Sequence, residues 1–186
     1  SEAATNCESI GDLLRRAGKF EQALMYHKLE ILLCAKLGRP LESGKAHRFA
    51  GLCYHHLQQY KKAIRAYERD IELHRGCASA SNIRDHMELQ RALCAVGNSY
   101  EARAATLGGS IRSELDLMKA LDFYQQSLAE ARRLKGVAEL RKVALVKERE
   151  ALLNMGNVHD QRENHTSAIL CFTQGADLSP NGSKTK

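Results

Sequence analysis

The side chains of this sequence with the greatest potential for chemistry are its eight histidines and six cysteines. A zinc site needs several such ligands at short, fixed spacings. The sequence has no CxxC pair and no HExxH, and its adjacent pair His55 and His56 would point in different directions from a helix. The phosphate-binding GxxxxGK[ST] and the nucleophile motif GxSxG are also missing. We therefore predict that this chain is not an enzyme and uses no metal or cofactor.

The cysteines are spaced as small apolar residues on helices and not as a disulfide framework. A chain of 186 residues can bury a core without disulfides. Free, buried thiols are typical of proteins kept in a reducing compartment, so we expect an intracellular protein. The six positions are Cys7, Cys34, Cys53, Cys77, Cys94 and Cys171.

The composition indicates a folded, helical chain. Charged residues make up 27% and hydrophobic residues 44%, with two prolines, and no apolar run reaches the roughly 20 residues of a membrane span. The N-terminus lacks both a signal peptide and an initiator methionine, so we expect a piece of a longer protein. The net charge of +6 favours acidic partners, but interspersed acidic residues and 5% aromatics do not favour direct nucleic-acid binding.

A repeating pattern of small and aromatic residues organises the helices. In its second occurrence Gly51 and Tyr54 are followed by Ala63 and then by Tyr67. The small residues let two antiparallel helices approach closely, and the aromatic rings fill the space around the contact. The pattern recurs as Gly11, Ala23 and His27, as Gly97, Ala120 and Tyr124, and as Gly156, Ala168 and Phe172.

This spacing resembles the tetratricopeptide repeat, which is a pair of antiparallel helices. The resemblance implies an all-α helical-repeat solenoid of four helix pairs. We place the repeats at about residues 4–37, 41–77, 85–135 and 137–178 of a single domain. The polar tail 179–186 is expected to be disordered.

The third repeat carries an insertion between its helices. Ala120 follows Tyr100 by 20 residues, whereas the same step in the second repeat is nine residues. About 11 residues are therefore inserted near 105–114, and they either extend the first helix before a Gly-Gly loop or form an excursion at one edge. The first helix of the fourth repeat is expected to begin near Val137.

A partner is expected in the concave groove, which tetratricopeptide folds line mainly with the first helix of each pair. Asn98 and Asn157 directly follow a repeat glycine, and an amide side chain can pair with the backbone of an extended peptide. Arg48 and Arg91 could pair with acidic ligand side chains, or all four residues could be solvated. The full predicted set is Asp12, Arg15, Arg48, Leu52, His55, Arg91, Asn98, Glu101, Asn157 and Asp160.

A narrower resemblance rests on the acidic Glu30 and Asp70, where the repeat usually has alanine, and on the 40-residue step between the first two repeats. Both features resemble Pins-type spindle-orientation adaptors and Tonsoku-like proteins. The stretch HMELQRALCAVGNSY (His86–Tyr100), the insertion, and ALDFYQQSLAEA (Ala120–Ala131) are similar to the third repeat of Tonsoku-like proteins. This resemblance implies a nuclear scaffold of replication-coupled genome maintenance whose repeats read the histone H3 tail.

Two other functions remain open on the sequence. The basic charge suits a cytoplasmic polarity or motor-cargo adaptor, similar to Pins-type proteins or kinesin light chain, that takes acidic or amphipathic peptides. A structural spacer within a larger assembly would bind no peptide in the groove. The basic stretch 132–149 is either a further surface for an acidic partner or a solvated helix.

Overall fold

The computed structural model describes residues 2–77 and 83–178, and these two ranges are helical without any β-strand. The predicted all-α class is thereby confirmed, while the predicted disordered tail 179–186 lies outside the described residues. The helices are α1 (Glu2–Arg16), α2 (Phe20–Lys36), α3 (Pro40–His56), α4 (Tyr60–Cys77), α5 (Ile83–Thr106), α6 (Ile111–Leu134), α7 (Arg141–Gln161) and α8 (His165–Asp177).

In each helix pair a glycine of the first helix packs against an aromatic ring of the second, as the repeat pattern predicts. A Cβ placed on Gly51 of α3 would lie 2.7 Å from Cε1 of Tyr67 on α4, closer than real Cβ atoms come. The corresponding contacts join α1 to α2, α5 to α6 and α7 to α8. Their glycine and ring partners are Gly11 with His27, Gly97 with Tyr124, and Gly156 with Phe172.

The turn inside a helix pair has the same form in three of the four pairs. Gly18, Gln58 and Glu163 each lie in the middle of a three-residue turn with a φ of 74°, 58° and 57°. In each turn the following residue donates its backbone N–H to a carbonyl five residues earlier, as in the Schellman motif. The two positions without glycine show that this turn imposes the left-handed conformation on residues that rarely adopt it.

The insertion of the third repeat lengthens two helices instead of forming a loop. Helix α5 ends at Thr106, nine residues after Gly97, whereas α3 ends five residues after its own repeat glycine. Helix α6 begins at Ile111, nine residues before Ala120, whereas α4 begins three residues before its equivalent alanine. The sequence predicted an extension of the first helix as one alternative, and the structure divides the extension between both helices.

The two helix extensions are held together by polar contacts. Arg103 of α5 donates from Nε and from Nη2 to the two carboxylate oxygens of Asp116 of α6, at 2.7 and 2.6 Å. The Ser113 hydroxyl donates to the backbone carbonyl of Ala104 at 2.9 Å. Ser110 caps the N-terminus of α6 by accepting a hydrogen bond from the Ser113 backbone N–H. The inserted residues therefore form an ordered, packed helical extension.

The fourth repeat starts later than the sequence predicted. Val137 has extended backbone angles, a short 3₁₀ helix follows over Ala138–Leu140, and α7 begins only at Arg141. The prediction of a helix from Val137 was wrong by four residues, because the chain first completes a turn after α6.

The chain divides into two compact units, Ser1–Ser81 and Asn82–Lys186. The first contains α1 to α4 and the second contains α5 to α8. In the described part of the chain, no helix combines the length and the apolar character that crossing a membrane requires.

Candidate functional site

Polar side chains on α5 and α7 form a shared surface in the second unit. On each helix these residues recur at steps of three or four, so they lie on one face. Asn154 donates to Oδ1 of Asn98 at 3.4 Å, and Gln161 donates to Oε1 of Glu101 at 2.6 Å. We call this set the amide surface; it consists of Cys94, Asn98 and Glu101 on α5 and Glu150, Asn154, Asn157 and Gln161 on α7.

A buried tyrosine of α6 orients the centre of the amide surface. The Tyr124 ring packs on Gly97, and its hydroxyl lies 2.7 Å from Oδ1 of Asn98 and 2.8 Å from Oε2 of Glu101. Burial raises the pKa of Tyr124 far above its ordinary value, and the Glu101 charge raises it further, so the phenol stays protonated as a donor. These contacts leave the Nδ2 hydrogens of Asn98 available for a ligand carbonyl.

Two carboxylates lie on the amide surface, and one of them is paired with a lysine. They are Glu101 and Glu150, and the surface contains no lysine or arginine. Lys147 lies beside it and pairs with Glu150 at 2.8 Å. Burial and the Glu150 charge together raise the pKa of the Cys94 thiol to about 12, because both disfavour the negatively charged thiolate.

Five of the predicted groove residues belong to or adjoin this surface. Asn98 and Glu101 lie at its centre, and Asn157 is exposed on α7. Asp160, one turn further along α7, is exposed and lies 3.1 Å from Nδ1 of His165. Arg91 is exposed one turn before Cys94 and pairs with Glu88 of its own helix at 2.8 Å.

Sequence reasoning missed the amide groups Asn154 and Gln161. Both lie on the same face of α7 as Glu150 and Asn157, at steps of four and eleven residues from Glu150. That periodicity was the signal that could have found them. Their partners on α5 are residues 56 and 60 positions away in the chain, and only the folded structure supplies those contacts.

In the first unit, Asp12 and Arg15 are already paired with each other. Asp12 contacts both Arg15 and Arg16, the latter at 2.7 Å, and Arg15 also lies over the Phe49 ring. Burial by itself would raise the pKa of Asp12, but the bond and charge of Arg15 outweigh it and lower the pKa. Both side chains therefore have internal partners in place of a ligand.

The prediction that Arg48 is an exposed contact for acidic ligands is corrected. The residue is only 7% exposed, and its guanidinium lies 3.4 Å from a carboxylate oxygen of the buried Asp70. It also lies over the Phe49 ring. Helix α3 therefore directs Arg48 towards α4, because the buried carboxylate there needs a positive partner.

Leu52 and His55 are half-buried on α3. The His55 ring makes an edge-to-face contact with Tyr60, with ring centroids 5.3 Å apart. Burial and the neighbouring His56 lower the pKa of His55, so the ring is neutral at pH 7. Both residues belong to the first unit and are not part of the amide surface.

The acidic residues at the alanine positions have internal partners in the first unit. Glu30 is buried and lies 3.1 Å from Nδ1 of His27, while Asp70 lies 2.9 Å from Nδ1 of His74. Space for Asp70 comes from Gly44, where a Cβ would approach its carboxylate to 2.8 Å. The sequence singled out both residues by type, and the structure places them in the core.

Several cations of the stretch 132–149 are paired inside the second unit. Arg132 and Lys135 both donate to Glu148, at 2.9 and 3.2 Å, and Arg133 donates to Glu130 at 2.8 Å. Burial alone would raise the pKa of Glu148, but these bonds outweigh it and lower the pKa. This arrangement favours a charged, solvated helix over a further partner surface.

Histidine, cysteine and carboxylate side chains do not gather into groups of three that could hold a metal ion anywhere in residues 2–77 and 83–178. All six cysteines are free thiols, five of them buried and Cys77 exposed.

Comparison with known proteins relates these features to a family. Residues 46–80 match the tetratricopeptide repeat family. Tonsoku-like protein from Bos taurus is 30% identical over 128 residues, which are 69% of this chain and 9% of that protein. The Mus musculus protein is 27% identical over 83% of this chain and 11% of its own length. This chain thus spans about a tenth of the curated relatives it matches.

A solved structure shows the same fold. The crystal structure of BtubC (BKLC) from P. vanneervenii superposes with a TM-score of 0.74 at 14% identity and covers 98% of this chain and 68% of that chain. Tetratricopeptide repeats are protein-interaction scaffolds. The chain is therefore an all-α tetratricopeptide-repeat protein that is similar in sequence to Tonsoku-like proteins.

Proposed function

We propose that the amide surface binds an extended, basic peptide segment of a protein partner. The observation that carries this proposal is a row of four amides and two carboxylates on α5 and α7, in which Tyr124 orients Asn98 and Glu101. Amide side chains can both donate to and accept from a peptide backbone, and this gives binding that does not depend on side-chain sequence. The carboxylates select lysine and arginine in the ligand.

The resemblance to Tonsoku-like proteins makes the histone H3 tail the first ligand to test. An H3 tail is basic and extended, and it therefore suits the charge of the amide surface although the chain as a whole is basic. On the same resemblance we propose a nuclear location and a part in genome maintenance. A fluorescent fusion that remains outside the nucleus in cells would contradict that location.

Binding is tested with the full chain and a fluorescein-labelled H3-tail peptide in an anisotropy titration over a salt series. Asn157→Ala removes an exposed amide, and Glu101→Gln/Glu150→Gln removes both carboxylates without loss of size. We expect about a tenfold loss of affinity for each variant, and weaker wild-type binding as salt rises.

The matched control is Glu139→Gln, which removes an exposed carboxylate of the same unit outside the amide surface. It should bind the peptide like the wild type. Equal losses in the control and the test variants would mean that net charge alone drives binding. An H3 peptide that does not bind would reject the proposal, and absence of binding by both the H3 peptide and an acidic amphipathic peptide would favour the structural spacer.

The cytoplasmic adaptor stays a second candidate because of one observation in the first unit. Lys28, Lys62 and Arg65 are exposed there around an apolar cavity, and this arrangement suits an acidic ligand. In the titration above, an acidic amphipathic peptide that binds while the H3 tail does not would favour this function.

A further inference from the structure

A cavity in the first unit lies between α2, α3 and α4, on side chains that the amide surface does not involve. It has a volume of about 510 Å³ and opens to solvent. Its apolar lining includes Ile31 of α2, Ala50 and Tyr54 of α3, and Ala66 of α4. Leu32 lines the cavity as well and is 60% exposed, which is a large exposure for a leucine beside an apolar cavity. We call this site the basic cavity because its lining includes lysine and arginine side chains.

Three cations lie among the lining residues, and no carboxylate does. They are Lys28, Lys62 and Arg65, all of them exposed. The ammonium groups of Lys28 and Lys62 lie 5.8 and 5.7 Å from the centre of the Tyr54 ring. Two ammonium groups on one ring concentrate positive charge directly beside an apolar surface.

These cations differ from others on the exposed helix faces of the same unit. Arg39 pairs with Glu42 at 3.1 Å and Arg69 pairs with Glu72 at 2.8 Å, each within its own helix. Among the described residues, the lining cations form no ion pair, and Lys62 donates only to the neutral amide of Gln59, at 2.8 Å. Their charge is therefore available to a ligand.

A histidine at the cavity contributes no charge at neutral pH. His47 lines the cavity, and burial together with the positive charge of the nearby Arg69 lowers its pKa, although the charge of Asp70 opposes this. At pH 7 the cavity thus presents three cations, a neutral imidazole and an apolar lining to a ligand.

We propose that the basic cavity binds an acidic amphipathic peptide segment of a partner protein, an inference that rests on the second candidate function and names its binding site. An apolar side chain of the segment enters between α2, α3 and α4, and flanking aspartate or glutamate residues pair with Lys28, Lys62 and Arg65. The apolar lining stabilises the complex by removing the ligand side chain from water, and the cations orient the segment. This site is independent of the basic-peptide site of the second unit and prefers the opposite ligand charge.

The test uses the full chain and a fluorescein-labelled peptide with two leucines flanked by four glutamates. A second peptide replaces the leucines with alanine, and a third replaces the glutamates with glutamine. Anisotropy titrations should show binding of the first peptide and at least a tenfold loss for each of the other two. Equal binding of the alanine peptide would overturn the proposal, because the apolar cavity would then contribute nothing.

The protein variant is Lys28→Gln/Lys62→Gln, and its matched control is Lys19→Gln/Lys142→Gln, which removes two exposed charges outside the cavity lining. We expect about a tenfold loss for the first and less than a twofold change for the second. Equal losses would assign binding to net charge and overturn the site. Unchanged melting temperatures confirm that the variants remain folded.

Two further measurements separate this proposal from other outcomes. Glu101→Gln/Glu150→Gln should bind the acidic peptide like the wild type, so that failure of the amide surface and failure of the basic cavity are distinguishable. Vesicles of phosphatidylcholine with phosphatidylserine should not bind through the cavity. Vesicle binding that is lost in Lys28→Gln/Lys62→Gln, without any peptide binding, would overturn the proposal in favour of a membrane surface.

Discussion

The smallest structural unit of this protein is the contact between a repeat glycine and the ring that faces it. In all four pairs a Cβ on the glycine would come within 2.5 to 2.7 Å of the ring. A well-packed core accommodates an extra methyl group only by shifting side chains or backbone. The residue type at each of these positions is thus fixed by the distance between two helices.

Gly51→Ala is expected to destabilise the protein by about 1–3 kcal/mol, because the buried Tyr67 ring has no space to move away. The control is Gly76→Ala on α4, where a Cβ would meet nothing within 4 Å. It should leave stability unchanged or raise it by up to about 1 kcal/mol, since alanine favours helix over glycine. Urea unfolding of both variants provides the comparison, and similar effects would contradict the packing argument.

A second prediction concerns His74, which faces Asp70 on its own helix. Burial and, to a smaller extent, the positive charge of Arg48 on α3 would lower the pKa of His74, but the hydrogen bond and charge of Asp70 outweigh both and raise the pKa. The protonated form is favoured in the folded state, so its stabilising effect is full below about pH 6 and is lost as pH rises through the raised pKa.

The free energy of unfolding should therefore differ between wild type and His74→Gln more at pH 6 than at pH 9. His159→Gln serves as the comparison, because burial and Arg162 lower the pKa of His159. Its stabilising effect should be present at high pH and decrease as the pH falls. Denaturant titrations across this range measure both differences, and parallel pH profiles would reject the assignment of His74.

Among the elements, the α5–α6 pair departs most from the repeat pattern. Its two helices are each 24 residues long, and the inserted turns pack on each other instead of extending into solvent. The Asp116 side chain is buried, and Arg103 is partly exposed above it. The added turns lie beyond the contact between Gly97 and Tyr124. The ion pair between Arg103 and Asp116 therefore holds them together.

Asp116→Ala should destabilise the protein by about 2–3 kcal/mol, because it removes the two hydrogen bonds between the partly buried Arg103 guanidinium and a buried carboxylate. The control is Asp122→Ala on the exposed face of the same helix, with an expected change below about 0.5 kcal/mol. Thermal unfolding measures both. An Asp116→Ala protein as stable as the control would show that the extension does not depend on this ion pair.

For the molecule as a whole, the charge of each local surface indicates its ligand preference better than the net charge of the chain does. The chain is basic, yet the amide surface of the second unit contains two carboxylates and the cavity of the first unit is lined by three cations. A single net charge could not have predicted either ligand preference. Each unit has its own core, and the buried thiols are distributed over both.

That distribution gives a prediction for thiol reactivity in the intact protein. Burial raises the pKa of Cys53 to about 11, and burial with the Glu150 charge raises that of Cys94 to about 12, so little thiolate is present at pH 8. Only Cys77 is exposed. Ellman's reagent at pH 8 should react rapidly with one thiol per native chain and with six in urea, and Cys77→Ser should abolish the rapid phase. Two or more rapid thiols would contradict the described burial.

The sequence alone determined the helix pairs, because a glycine, an alanine and a ring at fixed spacing are local features. It predicted the position of the insertion. It also placed Asn98 and Glu101 on one helix face, since helical periodicity needs no knowledge of the partner helix. The later start of α7 and the division of the insertion between two helices depend on how the chain leaves α6 and packs against α5.

Only the tertiary structure decided which polar side chains are available to a ligand. Arg48 had the spacing of a surface residue, but Asp70, 22 positions away, holds it in the interior. The Tyr124 hydroxyl reaches Asn98 and Glu101 because Gly97 lets its ring pass close to α5. Desolvation and the pairing of charges are set by neighbours in space, and these neighbours come from distant parts of the chain.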